Sequence, residues 1–257
     1  MTISIENALE RLLHARSNRG PVAPLSETHG DLTLDHAYAV QDRLGAKLND
    51  GERRTGWKLA ATSSTGQAIM GVKEPASGFL LPVQYPSGTE VSASEFTDLR
   101  VEAEVAFRMG ARLVGPGVTA ATALRAVEGA VAALELLDFI FSGTPRAADF
   151  VANSIHAQAI VLGSPFVPLQ RLDLATEGVV YEHNNEIVGT YTAAEVMGNP
   201  LNALAWLANH LATRGLTLEP GDIVMTGGIS KLLRPTPGDR VCARFTSLGS
   251  VDIKIVA

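Results

Sequence analysis

The spacing of apolar residues changes once along this chain, near Gly56. Before that point, apolar residues recur at helical intervals over residues 5–15 and 34–48, and Thr33 can cap the second helix. After it, short β-rich runs alternate with glycine and proline, which is typical of a rolled or barrel-like sheet. The predicted strands include residues 78–82, 101–107, 157–162, 178–181, 223–226 and 251–256, and two helices, residues 120–131 and a stretch after Pro200, interrupt them.

This change divides the chain into two parts. We predict an α+β protein with a helical N-terminal subregion over residues 1–55 and a sheet domain over residues 56–257. Hydrophobic residues make up 46% and charged residues 19%, so a chain of this length can bury a core without disulfides or a structural metal. The single cysteine, Cys242, allows neither an intramolecular disulfide nor a thiolate zinc cluster. Because that fits a reducing compartment, we predict a cytoplasmic protein.

The sequence argues against membranes and nucleic acid as partners. Residues 1–7 lack the basic start and apolar run of a signal peptide, and no run of about 18 uncharged apolar residues could span a bilayer. The net charge of -6 comes without the clustered lysines and arginines that bind phosphate backbones. We therefore expect small molecules or other protein chains as partners.

The peptide around Glu102 and Glu104 alternates apolar and acidic residues. On a strand, Val101, Ala103 and Val105 face one side, and the two glutamates face the other side, about 7 Å apart. Two carboxylates at this spacing can converge on one cation. The alternative is a half-buried strand with a solvated acidic face, and this segment alone favours that ordinary arrangement.

Glu135 lies in an apolar run, residues 130–141, where an ionised carboxylate needs a partner because its burial is costly. The partner could be Arg100, Lys58 or a metal ion. Three clustered carboxylates repel one another unless a multiply charged ion lies between them, which favours a metal shared with the two glutamates above. Oxygen ligands select Mg²⁺ or Mn²⁺. A simple ion pair remains the alternative for Glu135.

Lys58 stands between an apolar segment and small polar residues. A lone lysine is usually a surface residue, but apolar strand neighbours would let this one point into a pocket. There it could bind a substrate carboxylate, or move a proton if burial lowered its pKa. The sequence leaves both orientations open.

Two weaker signals are a double glycine and the histidines. Gly227 and Gly228 follow a predicted strand and could bring backbone amides close to an anion, although a plain tight turn is commoner. The six histidines show neither metal-ligand nor triad spacing, so we interpret them as surface or hydrogen-bonded residues. They are His14, His29, His36, His156, His183 and His210.

Several motifs occur in a fixed order along nearly the whole chain. They are GWKLAATS at residues 56–63, MGV at 70–72 with Pro75 and Gly78, VEAEV at 101–105, ALELLD at 133–138, Asn199-Pro200, MTGG at 225–228 and LGSV at 248–251. In this combination the chain resembles the 2-oxopent-4-enoate hydratase and 4-oxalocrotonate decarboxylase family, within the fumarylacetoacetate hydrolase superfamily.

The resemblance implies a mixed β-roll of the fumarylacetoacetate hydrolase C-terminal type. It implies a Mg²⁺ or Mn²⁺ ion held by Glu102, Glu104 and Glu135, with Lys58 as a catalytic residue. The implied protein is a homo-oligomeric lyase of aromatic compound catabolism that acts on a small 2-oxo acid. The predicted substrate-binding residues are Asn153, Thr226 and Gly227.

The resemblance implies two activities. Hydration of a 2-hydroxypenta-2,4-dienoate to a 4-hydroxy-2-oxo acid is the first, and decarboxylation of 4-oxalocrotonate is the alternative, because residues 225–229 resemble the decarboxylase branch. Relatives usually have aspartate where this chain has Ala76 and Ala152, so two polar contributors to the active site are missing. That departure suggests a third hypothesis, a weakly active metal-binding accessory subunit that pairs with a partner hydratase or decarboxylase.

Overall fold

The computed structural model of the chain describes residues 4–28, 30, 32–51 and 54–257. His29 and residues 1–3, which two of the sequence predictions include, lie outside these ranges. The N-terminal part contains α1 (Ile5–Asn18), α2 (Leu25–Thr28) and α3 (Leu34–Leu48). The side chains of Ser4 and Thr33 accept backbone hydrogen bonds at the starts of α1 and α3, so local capping fixes where these helices begin.

The remainder consists mainly of strands joined by short helices. Within the described residues, the order β2-β1-β10-β5-β6-β7-β3 forms a seven-stranded sheet, and β4-β12-β11-β8-β9 forms a five-stranded sheet. Both sheets mix parallel and antiparallel pairs, as predicted for an α+β chain. The strands are β1 (Gly56–Ala60), β2 (Ala76–Phe79), β3 (Gln84–Pro86), β4 (Thr89–Ser92), β5 (Leu99–Met109), β6 (Val127–Asp138), β7 (Ala157–Leu162), β8 (Gly178–His183), β9 (Glu186–Thr192), β10 (Ile223–Met225), β11 (Arg240–Phe245) and β12 (Gly249–Val256). The helices are α4 (Ser64–Met70), α5 (Ala120–Ala126), α6 (Ala147–Ala152) and α7 (Pro200–Thr213).

The predicted helix over residues 120–131 is wrong in its second half. Helix α5 ends at Ala126, and β6 begins at the next residue, Val127. The alanines that follow are compatible with either structure, but they pair with β5, where Phe107 lies opposite Ala130. Tertiary pairing therefore overrides local helix propensity at this point.

Both faces of β5 are buried. One face contributes to the main core, which also contains residues of the five-stranded sheet such as Val241 and Ile253. On the opposite face, Ala106 packs in a second apolar cluster with Val131 and Met225. The acidic side of β5 is therefore not the solvated face that its alternation favours. Among the helices in the described ranges, none has the length and apolar character that a membrane crossing needs.

Arg16 connects α1 to the sheet region. Its Nε donates to Asn153 Oδ1 over 2.8 Å, and its terminal nitrogens donate to Gln158 Oε1 over 3.0 Å and to the Ala157 carbonyl over 3.2 Å. Burial lowers the pKa of Arg16 to about 10, against the opposing charge of Asp138. The helical part is thus bound to the strand region, and a domain division at residue 55 stays a prediction.

We expect Arg16→Met to lower the free energy of unfolding by roughly 1–3 kcal/mol, because several partly buried acceptors would lose their donor. Arg43→Met is the matched control, since Arg43 is an exposed arginine that pairs with Glu6 at the surface. Urea denaturation of both variants measures the difference. Equal stability of the two variants would show that the Arg16 network contributes little.

Candidate metal centre and its cavity

The register of β5 and β6 brings three glutamates together. Glu102 lies directly opposite Glu135 in the antiparallel ladder, and Glu104 lies two residues along β5 on the same side. One carboxylate oxygen from each of these residues lies within 4.8 Å of the others. The two strands therefore present three carboxylates to one point, which alternation on a single strand could not do.

The cluster is buried, and burial changes its protonation. Glu104 and Glu135 are 0% exposed. Burial, followed by the charge of Glu135, raises the pKa of Glu102 to about 7, and the same causes together with Glu102 raise the pKa of Glu104 well above its ordinary value. Both pKa values rise first because of burial, and the ammonium of Lys58 offsets that rise only in part.

Lys58 supplies part of that charge. Its Nζ lies 3.0 Å from Glu135 Oε2, and its side chain is 1% exposed. Burial disfavours the ammonium, but the carboxylates of Glu135, Glu102 and Glu104 outweigh that effect and raise the pKa of Lys58. Lys58 thus points inward, and it is a charged group rather than one with a lowered pKa.

The net charge of the cluster suits a divalent ion. When all three carboxylates are ionised, they and the Lys58 ammonium leave two negative charges, which one divalent cation would balance. Glu104 Oε1 and Glu135 Oε1 are buried and have no hydrogen-bond partner among the described residues. Hard divalent ions prefer oxygen ligands of this kind. The ion pair considered for Glu135 is present, but it satisfies only part of the cluster.

The glycine turn after β10 borders the cluster. The Thr226 hydroxyl donates to the Val105 carbonyl over 2.9 Å, and the Gly227 amide donates to Glu104 Oε2 over 2.8 Å. Both groups therefore hold β5 and its glutamate in place. Their predicted contact with substrate stays a prediction, because these polar groups already have protein partners.

Gly228 is packed against Glu102. A Cβ atom at position 228 would overlap the Glu102 carboxylate. We therefore expect Gly228→Ala to displace that carboxylate and to weaken Mg²⁺ binding by about tenfold or more. Gly20→Ala is the control, because the nearest atom to its added Cβ would be 3.9 Å away. Calorimetric titration of both variants gives the comparison, and equal Mg²⁺ affinity would contradict this role.

A cavity of about 570 Å³ opens beside the cluster. Lys58, Glu102 and Gly228 lie in its wall, and Leu137 and Ile155 belong to the largely apolar remainder. Ile69 and Leu232 also line it and are substantially exposed, which places them at its mouth. The cavity can therefore hold a small molecule with a polar end near the glutamates and a carbon chain against apolar side chains.

Several positions that the sequence singled out lie outside the wall of this cavity, among them Asn153, Ala76 and Ala152. Asn153 is fully buried and accepts a hydrogen bond from Arg16, so its contact with substrate stays a prediction. Ala76 and Ala152 are also buried and do not line the cavity.

His156 is a cavity residue to which the sequence assigned no role in the site. It is 3% exposed and lies in the wall that also contains Lys58. Spacing gave no signal because its ring neighbours include Phe139 and Phe150, which form no metal-ligand or triad pattern with it. The fold has two mixed sheets, and an acidic cluster lies at one end of an apolar cavity. This combination is typical of a metal-dependent enzyme that acts on a small molecule.

Comparison with known proteins agrees with this class. The fumarylacetoacetate (FAA) hydrolase C-terminal family matches residues 45–256. The chain is 32% identical to the 4-oxalocrotonate decarboxylase of Pseudomonas putida over 250 residues, which cover 96% of this chain and 95% of that one. It is 34% identical to the 2-keto-4-pentenoate hydratase 1 of Dechloromonas aromatica over 252 residues, which cover 97% and 96%. A solved 4-oxalocrotonate decarboxylase from Pseudomonas putida G7, complexed with magnesium and adipate, has a TM-score of 0.93 and 31% identity, with 99% of each chain covered.

The chain therefore belongs to the fumarylacetoacetate hydrolase family. The relatives are named as hydratases and decarboxylases, so the predicted resemblance to that branch is confirmed. The predicted β-roll fold is confirmed as well, because the solved decarboxylase matches over nearly its whole length.

Proposed function

We propose that this chain is a divalent-metal-dependent lyase in which Glu102, Glu104 and Glu135 hold Mg²⁺ or Mn²⁺. The observation that carries the proposal is the buried cluster, whose two uncompensated negative charges match one divalent ion. When bound, the ion would stabilise negative charge that develops on the carboxylate and 2-oxo oxygen of a substrate. The magnesium complex of the related decarboxylase supports Mg²⁺ as the metal.

We propose hydration as the first activity, and the residues of the chain are compatible with it. In this reaction, 2-hydroxypenta-2,4-dienoate loses its hydroxyl proton and gains a proton at C5, which gives 2-oxopent-3-enoate. Water then adds across C3=C4, with oxygen at C4 and hydrogen at C3. The raised pKa of Lys58 keeps its Nζ charged, which suits a partner for the substrate carboxylate better than a proton carrier. Leu137 and Ile155 suit the carbon chain.

Decarboxylation of 4-oxalocrotonate is the second candidate. A dicarboxylate substrate needs a second cation, and Lys231 lies in the cavity wall on an exposed position. The related decarboxylase binds adipate, which is also a dicarboxylate. A weakly active accessory subunit is the third candidate, and we further propose a homo-oligomer that can associate with a partner hydratase or decarboxylase.

A side-by-side assay tests these candidates. The purified chain with added Mg²⁺ is given 2-hydroxypenta-2,4-dienoate in one reaction and 4-oxalocrotonate in the other, and substrate loss is followed by absorbance. Faster turnover of the dienoate is the expected result. Faster loss of 4-oxalocrotonate would favour the decarboxylase, and no turnover of either compound would favour the accessory subunit. The same assay with Mn²⁺ compares the two metals.

A further inference from the structure

Three consecutive residues after α6 adopt left-handed backbone conformations. The φ angles of Ser154, Ile155 and His156 are 51°, 51° and 63°, and side chains with a Cβ atom disfavour this region. The surrounding fold holds the turn, since the Ser154 hydroxyl donates to the Phe79 carbonyl over 2.9 Å. Gly78 makes room for it, because a Cβ there would lie 2.6 Å from the Ser154 carbonyl oxygen. The turn places Ile155 and His156 in the cavity wall.

Aromatic side chains fix the His156 ring. Phe139 stacks on it with centroids 4.1 Å apart and planes 11° apart, and Phe141 and Phe150 meet it edge-on at 5.8 Å and 5.2 Å. Its Nδ1 lies 3.0 Å from the Asp138 carbonyl oxygen. A carbonyl oxygen only accepts hydrogen bonds, so Nδ1 carries the proton, and Nε2 of the neutral ring is left as an acceptor.

The surroundings keep this ring neutral. Burial lowers the pKa of His156 to about 3, and the positive charges of Lys58, Arg16 and Arg100 act in the same direction, against the hydrogen bond to Asp138. Nε2 is buried and has no hydrogen-bond partner within the described part of the chain. A buried acceptor without a donor is unfavourable. A ligand O–H group in the cavity would supply the missing donor.

His156 lies close to Lys58 in the cavity wall. The Lys58 Nζ donates to the carbonyl of Ile155 over 3.4 Å, and Ile155 directly precedes His156. Both side chains line one cavity. A 2-oxo acid whose carboxyl end lies near Lys58 and the glutamates would therefore extend its carbon chain along the wall that contains the imidazole.

We propose that His156 Nε2 accepts a hydrogen bond from the oxygen that becomes the 4-hydroxyl group of the hydration product. That oxygen enters as water and leaves as the 4-hydroxyl, so one acceptor serves both. Because the ring stays neutral, it orients the O–H group without taking its proton. This assignment rests on the proposed hydration and makes His156 a specificity-determining residue.

Two ligands that differ by one hydroxyl group test the assignment. Calorimetry with saturating Mg²⁺ compares 4-hydroxy-2-oxopentanoate with 2-oxopentanoate on the wild-type protein, His156→Phe and His156→Gln. We expect the wild type to bind the hydroxy acid about tenfold more tightly than 2-oxopentanoate. Phenylalanine keeps the aromatic packing without an acceptor and should abolish that preference, whereas the amide oxygen of glutamine should restore part of it.

The outcomes separate the two proposals. An unchanged preference in His156→Phe would overturn the role of His156 while leaving the proposed function standing. Failure of both ligands to bind the wild type would overturn the proposed function and the inference with it. Nitrogen NMR of ¹⁵N-histidine-labelled wild type needs no variant that might misfold. A proton on Nε2 would also overturn the assignment. So would an Nε2 chemical shift that does not change when 4-hydroxy-2-oxopentanoate is added.

Discussion

Glu135→Gln is expected to weaken Mg²⁺ binding by more than about 10²-fold and to reduce turnover to background. The substitution keeps the shape of the side chain but removes one of the three converging carboxylates. Loss of an outer-shell partner alone costs roughly 10–100-fold in metal affinity, and a ligand itself should cost more. Calorimetric titration with Mg²⁺ measures the affinity, and the dienoate assay measures the activity.

Glu128→Gln is the matched control for this experiment. Glu128 lies on the same strand, β6, but is exposed and paired with Arg108 through hydrogen bonds of 2.7 and 2.6 Å. Glu128→Gln should leave both the Mg²⁺ affinity and the turnover of the dienoate unchanged. The melting temperature without metal shows whether the variant still folds, because the substitution also removes the buried ion-pair partner of Lys58. A normal Mg²⁺ titration of Glu135→Gln would refute the metal site.

Lys58→Met is expected to lower kcat/KM by at least about 10²-fold while leaving Mg²⁺ affinity equal or higher. Methionine fills similar space but removes the ammonium that lies 3.0 Å from Glu135. A lost charged hydrogen bond to substrate lowers transition-state binding, whereas a lost positive charge beside the glutamates favours a cation there. We therefore expect kcat/KM to fall while the Mg²⁺ affinity rises or stays the same.

Lys254→Met controls for removal of a lysine in general. Lys254 is exposed on β12 and pairs with Glu90 at 2.8 Å, far along the sequence from the cluster. It should preserve both activity and metal binding. A value of kcat/KM for Lys58→Met within about twofold of the wild type would make Lys58 a structural residue, because that change is below roughly 0.4 kcal/mol.

Local patterns were sufficient for several parts of the molecule. Capping at Thr33 and helical spacing predicted the helix that extends to Leu48, and alternation predicted that Glu102 and Glu104 share one side of a strand. These predictions succeed because capping and side-chain alternation depend on residues only a few positions apart. The ordered motifs identified the family, which no single local pattern could do.

The tertiary structure decided what depends on distant partners. The residues after Ala126 form a strand because they pair with β5. The register of that pairing places Glu135 opposite Glu102. Lys58 became an inward-facing ion-pair partner of Glu135 only through the tertiary fold, because the two residues lie on β1 and β6. The left-handed turn at His156 packs against Gly78 and Phe79, which lie far from it in the sequence. The sequence alone determined the family and the side chains that could act, whereas register and packing determined which of them meet, because these contacts join residues far apart along the chain.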